Sequence, residues 1–204
     1  MKKVNVFPTT IYEFYNNDID NDDIVEKLSK ETLREHTALS SLEDLHTKEG
    51  YEHLFSWFNE CLEEIRQEKQ YDCDRITITS SWCNKQNARS GMFHSPHKHT
   101  MSMWSGVYYC TSGASTCFQD PVTHRTDAQI EVLQHNFTPF EYIEAEPGKL
   151  IVFPSWMYHS TTRTTQEVDR WSIAFNTFPD GKINYNIARD SVVTLKVGPH
   201  AVND

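Results

Sequence analysis

The sequence predicts an all-β core, a sandwich or barrel, beneath an N-terminal helical layer. Three observations lead there. The first third shows helical periodicity with an acidic surface, the apolar period changes to two after Tyr71, and Gly and Pro then punctuate the chain at short intervals. With 204 residues the chain suits a single domain, since domains commonly run to about 100–200 residues. We divide it into a mainly helical covering layer over 1–72, a β core over 73–187 and a C-terminal extension over 188–204.

Between Asp20 and Arg34, Ile24, Val25, Leu28 and Leu33 recur at helical spacing. They follow Asp18, Asp20, Asp22 and Asp23, whose carboxylates suit a helix N-terminus. A stronger helix is expected from Glu49 to Glu68, where Leu54, Phe55, Phe58, Leu62 and Ile65 form one apolar stripe. Such stripes need a partner surface, so both helices are expected to cover one face of a sheet. Strands are expected at 75–82, 91–94, 104–110, 116–119, 129–133, 140–144, 149–153, 157–160 and 171–178, with turns at Gly113, Pro121, Pro139, Pro147-Gly148 and Pro154. The tail after Ile187 is expected to be partly disordered. The 11 Phe, 9 Tyr and 5 Trp offset a hydrophobic content of only 38% and exclude disorder for most of the chain. Trp82, Trp104, Trp156 and Trp171 are expected in the core.

Charge and cysteine content narrow the setting. Against 29 Asp and Glu stand 19 Lys and Arg, a formal charge of -10, whose field disfavours nucleic acid and anionic lipid as partners. No run approaches the roughly 18–20 apolar residues of a membrane helix, and the first residues lack the apolar stretch of an export signal. The five cysteines form no CxxC pair, which fits reduced thiols in a cytoplasmic protein.

Three of ten histidines fall within Phe93-His94-Ser95-Pro96-His97-Lys98-His99. In extended chain, residues two apart point to one side, so His97 and His99 can present both imidazoles to one point. The apolar run Leu150-Ile151-Val152-Phe153 can deliver a third, His159, into a barrel interior. Imidazoles with open positions suit iron, zinc, copper or nickel, and two His with one carboxylate suit non-haem Fe(II). The carboxylate is missing from the expected place: position 99 is histidine, which leaves Asp120 as an alternative source of an acid. His94 is placed on a strand near the mouth, whereas His36, His46, His53, His124, His135 and His200 are expected at the surface. Further on, Arg170, Ser172, Ala174 and Asn176 share one face of a strand and Trp171, Ile173 and Phe175 the other. A guanidinium fork beside a hydroxyl suits a carboxylate, held through two charge-assisted bonds; an exposed face with an ordinary ion pair is the alternative.

Together, His97-Lys98-His99, Ser105-Gly106-Val107-Tyr108-Tyr109, Pro147-Gly148-Lys149-Leu150, Phe153-Pro154-Ser155-Trp156, His159 and the Arg170–Asn176 strand resemble the 2-oxoglutarate- and Fe(II)-dependent oxygenases of bacteria and marine phages. The start, Phe7-Pro8-Thr9-Thr10, is similar to theirs as well. The resemblance implies a double-stranded β-helix, or jelly roll, with Fe(II) at its open end. It implies that Arg170 and Ser172 hold the distal carboxylate of 2-oxoglutarate while the 2-oxo acid end chelates the metal. Wider relatives have His-x-Asp or His-x-Glu where this chain has His-x-His. The preferred metal set is therefore His97, His99 and His159, with His97 and His159 plus water as the alternative. Asn84, Asn87, Tyr108 and Tyr109 flank the expected mouth, and Asn84, Tyr108 and Asn176 join Arg170 and Ser172 as expected cosubstrate contacts. The implied reaction decarboxylates 2-oxoglutarate to succinate with O2 and hydroxylates a small molecule or a protein side chain. The loops 84–90, 121–128 and 161–169 are expected to rim the mouth and set specificity. Oligomeric state is open, a homodimer included. Two other readings stand beside this one: a three-histidine cupin-type metal dioxygenase that binds substrate directly, and a jelly-roll binding module without catalysis.

Overall fold

In the computed structural model, the described residues are 2, 8–35, 38–121, 140–186 and 191–197. The strand expected at 129–133, most of the loop 121–128, and His36, His124, His135 and His200 lie outside them. The first helix, α1 (Asn21–Leu28), begins where Asp20 accepts hydrogen bonds from the Asp22 and Asp23 amides, both 3.1 Å, satisfying donors that a helix start leaves open. It is shorter than the sequence suggests. After Leu28 the chain turns, because residues 34 and 35 form β2 (Arg34–Glu35) against β3 (Leu39–Ser40). The second helix, α2 (Glu52–Glu68), buries Leu54, Phe55, Phe58, Cys61, Leu62 and Ile65, the expected stripe with Cys61 added.

The remaining strands are β1 (Tyr12–Tyr15), β4 (Cys73–Gln86), β5 (Trp104–Tyr109), β6 (Gly113–Gln119), β7 (Phe140–Ala145), β8 (Lys149–Pro154), β9 (His159–Thr161), β10 (Arg170–Ile183) and β11 (Val193–Leu195). Eight make an antiparallel sheet in the order β1-β8-β5-β10-β4-β3-β2, with β11 paired to β10, and a smaller sheet runs β7-β6-β9. Three short strands, β1 to β3, therefore arise in the segment expected to be mainly helical, and part of the tail expected to be disordered pairs as β11. Gly91 to His94 is not a strand. It follows the β9 region through Gly91 N–H to Thr164 O and Thr161 N–H to His94 O, and Pro96, which has no N–H, interrupts a regular ladder.

The large sheet is covered on both faces. Ile173, Phe175, Tyr108, Leu150 and Val152 pack with α1 and α2 on one side, while Tyr109, Ile151 and Phe153 pack with Phe118 and Ala145 of the small sheet on the other. Burial on both sides is why Leu150 to Phe153 reads as an unbroken apolar run, each residue 0% exposed. The two facing antiparallel sheets form the jelly roll, with helices on the outer face of the larger one. Phe175 lies across Gly106 of the neighbouring strand, where a Cβ would sit 2.1 Å from its ring, so only glycine leaves room.

Candidate metal centre

Two backbone hydrogen bonds set the site. His97 N–H donates to His159 O and His159 N–H to His97 O, both 2.9 Å, a single antiparallel bridge that stacks the two side chains on one side. Their ring centroids are 4.3 Å apart. His99 N–H donates to Ser155 O at 3.0 Å, anchoring the segment to the turn between β8 and β9. The His99 ring then lies 5.1 Å from both His97 and His159. One nitrogen from each of the three lies within 4.8 Å of the others. Among the described residues no carboxylate joins them, and Asp120, just beyond β6, is not part of the group.

The local chain also prepares the rings. His97 Nδ1 lies 2.7 Å from Ser95 O and His159 Nδ1 lies 3.0 Å from Met157 O, in each case the carbonyl two residues back. A carbonyl only accepts, so each Nδ1 carries a proton, and in the neutral form of either ring it is Nε2 that keeps the lone pair, the tautomer that a metal ligand needs. Burial holds the His99 pKa down at about 4, with the adjacent His97 lowering it further. Burial likewise brings His159 to about 3, again with His97 as the next cause. At neutral pH both rings are therefore uncharged.

Deeper in the same chamber lies Arg170, 1% exposed. Its Nε donates to Ala114 O at 2.8 Å and its Nη1 to Ser172 Oγ at 2.9 Å, while the guanidinium sits 5.4 Å from the centre of the Tyr109 ring. Among the described residues no carboxylate is within ion-pair distance of it. Taking a charge out of water costs several kcal/mol, of order, unless an opposite charge compensates. This chamber therefore favours an anion. His97, His99, His159, Ser172, Asn84 and Thr116 share its walls. It shares Trp82, Asn84, His94, His97 and His99 with a cavity of about 650 Å3 that is also lined by Asn176 and by Arg34, Ser40, Ser41 and Glu43.

The structure thus brings together His97, His99, His159, Arg170, Ser172, Asn84 and Asn176. It removes Tyr108, whose side chain points to the helices, packs on Trp57 and Phe58 and donates to Asn21 Oδ1 at 2.6 Å. Its neighbour Tyr109 faces inward beside Arg170, since successive strand residues face opposite ways. Asn87 does not line the chamber or its mouth. His46 is half-buried rather than a plain surface residue, with Nδ1 2.8 Å from Ser81 Oγ and its ring against Phe55. Trp82, expected in the core, is half-buried 5.8 Å from the His99 ring and walls both cavities, and Trp156 is exposed. Of the loops expected to rim the mouth, only Asn84 lines the outer cavity among the described residues; Arg34 and Ser40 to Glu43 line it instead, a contribution with no motif to signal it.

Comparison with known proteins agrees with this geometry. Residues 80–176 match the family model described as Putative 2OG-Fe(II) oxygenase. That match spans all three histidines, Arg170, Ser172 and Asn176. Among curated proteins, none matches the chain significantly by sequence. The fold is similar to that of HygX from Streptomyces hygroscopicus, solved with nickel and 2-oxoglutarate bound, at 12% identity over 84% of this chain and 83% of that one, with a TM-score of 0.58. A Pseudomonas putida prolyl-4-hydroxylase is similar at 13% identity over 85% and 94% of the two chains, TM-score 0.58. The epimerase SnoN from nogalamycin biosynthesis, described as non-haem and alpha-ketoglutarate-dependent, is similar at 7% identity over 96% and 90%, TM-score 0.62. At such identities the likeness establishes the jelly-roll fold. The family match adds to this a similarity over 97 of the 204 residues, the stretch that holds the histidine triad and Arg170.

Proposed function

We propose that this chain is an Fe(II)- and 2-oxoglutarate-dependent oxygenase that hydroxylates a small molecule or a protein side chain. His97, His99 and His159 would hold the iron through Nε2, and Arg170 with Ser172 would grip the distal carboxylate of 2-oxoglutarate. The carrying observation is the buried, uncompensated guanidinium of Arg170 in the same chamber as three clustered imidazoles. The donor set fits iron: imidazole suits divalent Fe, and with no anionic protein ligand the site relies on a dianionic cosubstrate for charge balance. When bound, iron and 2-oxoglutarate supply oxygen activation coupled to decarboxylation of 2-oxoglutarate to succinate. The chain's own part is to hold the metal from one side, orient the cosubstrate and keep water from the chamber. Its five cysteines are buried and free, in keeping with a reducing, cytoplasmic setting.

The set of three histidines also suits a cupin-type dioxygenase that binds substrate directly to the metal, with Arg170 on a substrate carboxylate. One experiment separates the two. Anaerobic addition of Fe(II) and then 2-oxoglutarate is expected to produce the visible charge-transfer band of a 2-oxo acid chelate, and admission of oxygen to yield succinate. An iron-loaded protein that gives neither band nor succinate overturns the proposal.

A further inference from the structure

Two of the three imidazoles have their Nδ1 proton fixed by a backbone carbonyl. His99 has a side-chain amide in that place, Asn176 Nδ2, 3.4 Å from its Nδ1. The other end of this amide, Oδ1, lies 2.8 Å from Ser105 Oγ. From there a row of hydroxyls continues: Ser105 Oγ to Ser155 Oγ at 2.8 Å, and Ser155 Oγ to Ser102 Oγ at 2.7 Å. Ser102 Oγ ends the row beside two backbone carbonyls, Trp104 O at 3.1 Å and Thr177 O at 3.3 Å, and accepts from Thr177 N–H at 3.3 Å. Ser105 and Ser155 are buried.

We infer that Asn176 is a positioning residue whose amide oxygen accepts the Nδ1 proton of His99, in an orientation dictated by the Ser102-Ser155-Ser105 row. The inference rests on the metal-site reading above. Each hydroxyl has one proton to give. Ser102 gives its proton to a carbonyl and must accept from Ser155. Ser155, its proton committed, accepts from Ser105. Ser105 then has none left for Asn176 and must accept, which calls for the NH2 end of the amide. The two ends of a carboxamide are nearly the same shape, so exchanging them moves no other atom. The carbonyl end then faces His99, which takes the same tautomer as His97 and His159, Nδ1 protonated and Nε2 bare. The opposite sense of the row would put an N–H against Nδ1 and the ring proton on Nε2, where a metal could not bind. It would also leave the Ser102 hydroxyl turned away from both nearby carbonyls. Asn176 therefore does for His99 what Ser95 O and Met157 O do for the other two rings, a kind of partner whose loss typically weakens metal binding about 10–100-fold.

The test uses Co(II) as the probe, followed by its visible absorption, with wild type and two variants. Asn176→Ala is expected to weaken Co(II) binding about 10–100-fold. Asn176→Asp is expected to bind no more weakly than wild type, because a carboxylate can only accept from Nδ1. An aspartate variant as weak as the alanine variant, or an alanine variant equal to wild type, overturns the inference while leaving the metal site standing. A wild-type protein that takes up no Co(II) overturns the metal centre, and this inference with it. The tautomer can also be read directly without any variant. Long-range proton–nitrogen NMR of the metal-free protein is expected to show His99 protonated at Nδ1, and protonation at Nε2 overturns the inference.

Discussion

Arg170 and the histidines pull the chamber in two electrostatic directions, and each can be measured. The guanidinium has neutral partners, a carbonyl and a hydroxyl, and faces no described carboxylate. Hydrogen bonds to charged groups are worth about 1.5–3 kcal/mol each, so Arg170→Met is expected to weaken 2-oxoglutarate binding by about 10–100-fold or more. Titration of the charge-transfer band checks this. In the same variant 2-oxoglutarate should no longer raise the melting temperature, as it should in wild type through its preference for the folded state. The histidines act on stability in the metal-free protein. His99 and His159 have folded-state pKa values of about 4 and about 3, below the ordinary imidazole value near 6.5. The unfolded chain therefore binds protons that the folded one refuses. Stability is fully present above pH 6.5 and is lost as pH falls from there toward 4, at about 1.4 kcal/mol per pH unit for each ring. Denaturant midpoints between pH 4 and 8 should show this slope, and it should shrink in His159→Phe.

At the scale of elements, two neighbouring strands explain both what the sequence disclosed and what it concealed. The Arg170–Asn176 face was legible because period-two alternation sends Arg170, Ser172 and Ala174 one way and Trp171, Ile173 and Phe175 the other, as the structure has it. The same rule applied to β5 could not say which of Tyr108 and Tyr109 faces in. Both are large, aromatic and 0% exposed, in a strand buried on both faces, so composition carries no sign of direction. What distinguishes them is the pairing of Tyr109 opposite Ser172 and of Gly106 opposite Phe175, which is tertiary information. Gly106 is the sequence's trace of that register. Gly106→Ala would drive a methyl into the Phe175 ring, itself packed against the Phe58 ring 5.2 Å away. Overpacking of this kind typically costs about 1–3 kcal/mol. The variant is expected to melt several degrees lower, and Gly106→Ala with Phe175→Leu to recover part of the loss; a G106A protein as stable as wild type would show that β5 and β10 do not pair in this register.

At the scale of the whole molecule, the family match covers 80–176, whereas part of the lining of the outer cavity comes from Arg34, Ser40, Ser41 and Glu43. Those residues belong to a segment that reads as a helical cover and carries no recognisable motif. It reaches the site because β3 pairs with β4, Leu39 against Lys85 and Ser40 against Asn84. Ser40 Oγ donates to Asn84 Oδ1 at 2.8 Å, tying the outer wall to a residue of the inner chamber. On the proposed function the molecule separates its tasks by origin: the jelly roll would provide the metal and anion sites, and the N-terminal segment completes a mouth of about 650 Å3, within the size range of small-molecule sites. Specificity generally resides in such added segments. Arg34→Ala and Glu43→Ala are therefore expected to leave 2-oxoglutarate affinity and slow, substrate-free succinate formation within about twofold of wild type. A polar compound found to accelerate succinate formation in wild type should lose about tenfold in kcat/KM in at least one of the two, roughly the 1.4 kcal/mol of one lost polar contact. If both variants process such a compound as wild type does, the mouth lies elsewhere; if both lose 2-oxoglutarate binding instead, the outer wall and the inner chamber are one site rather than two.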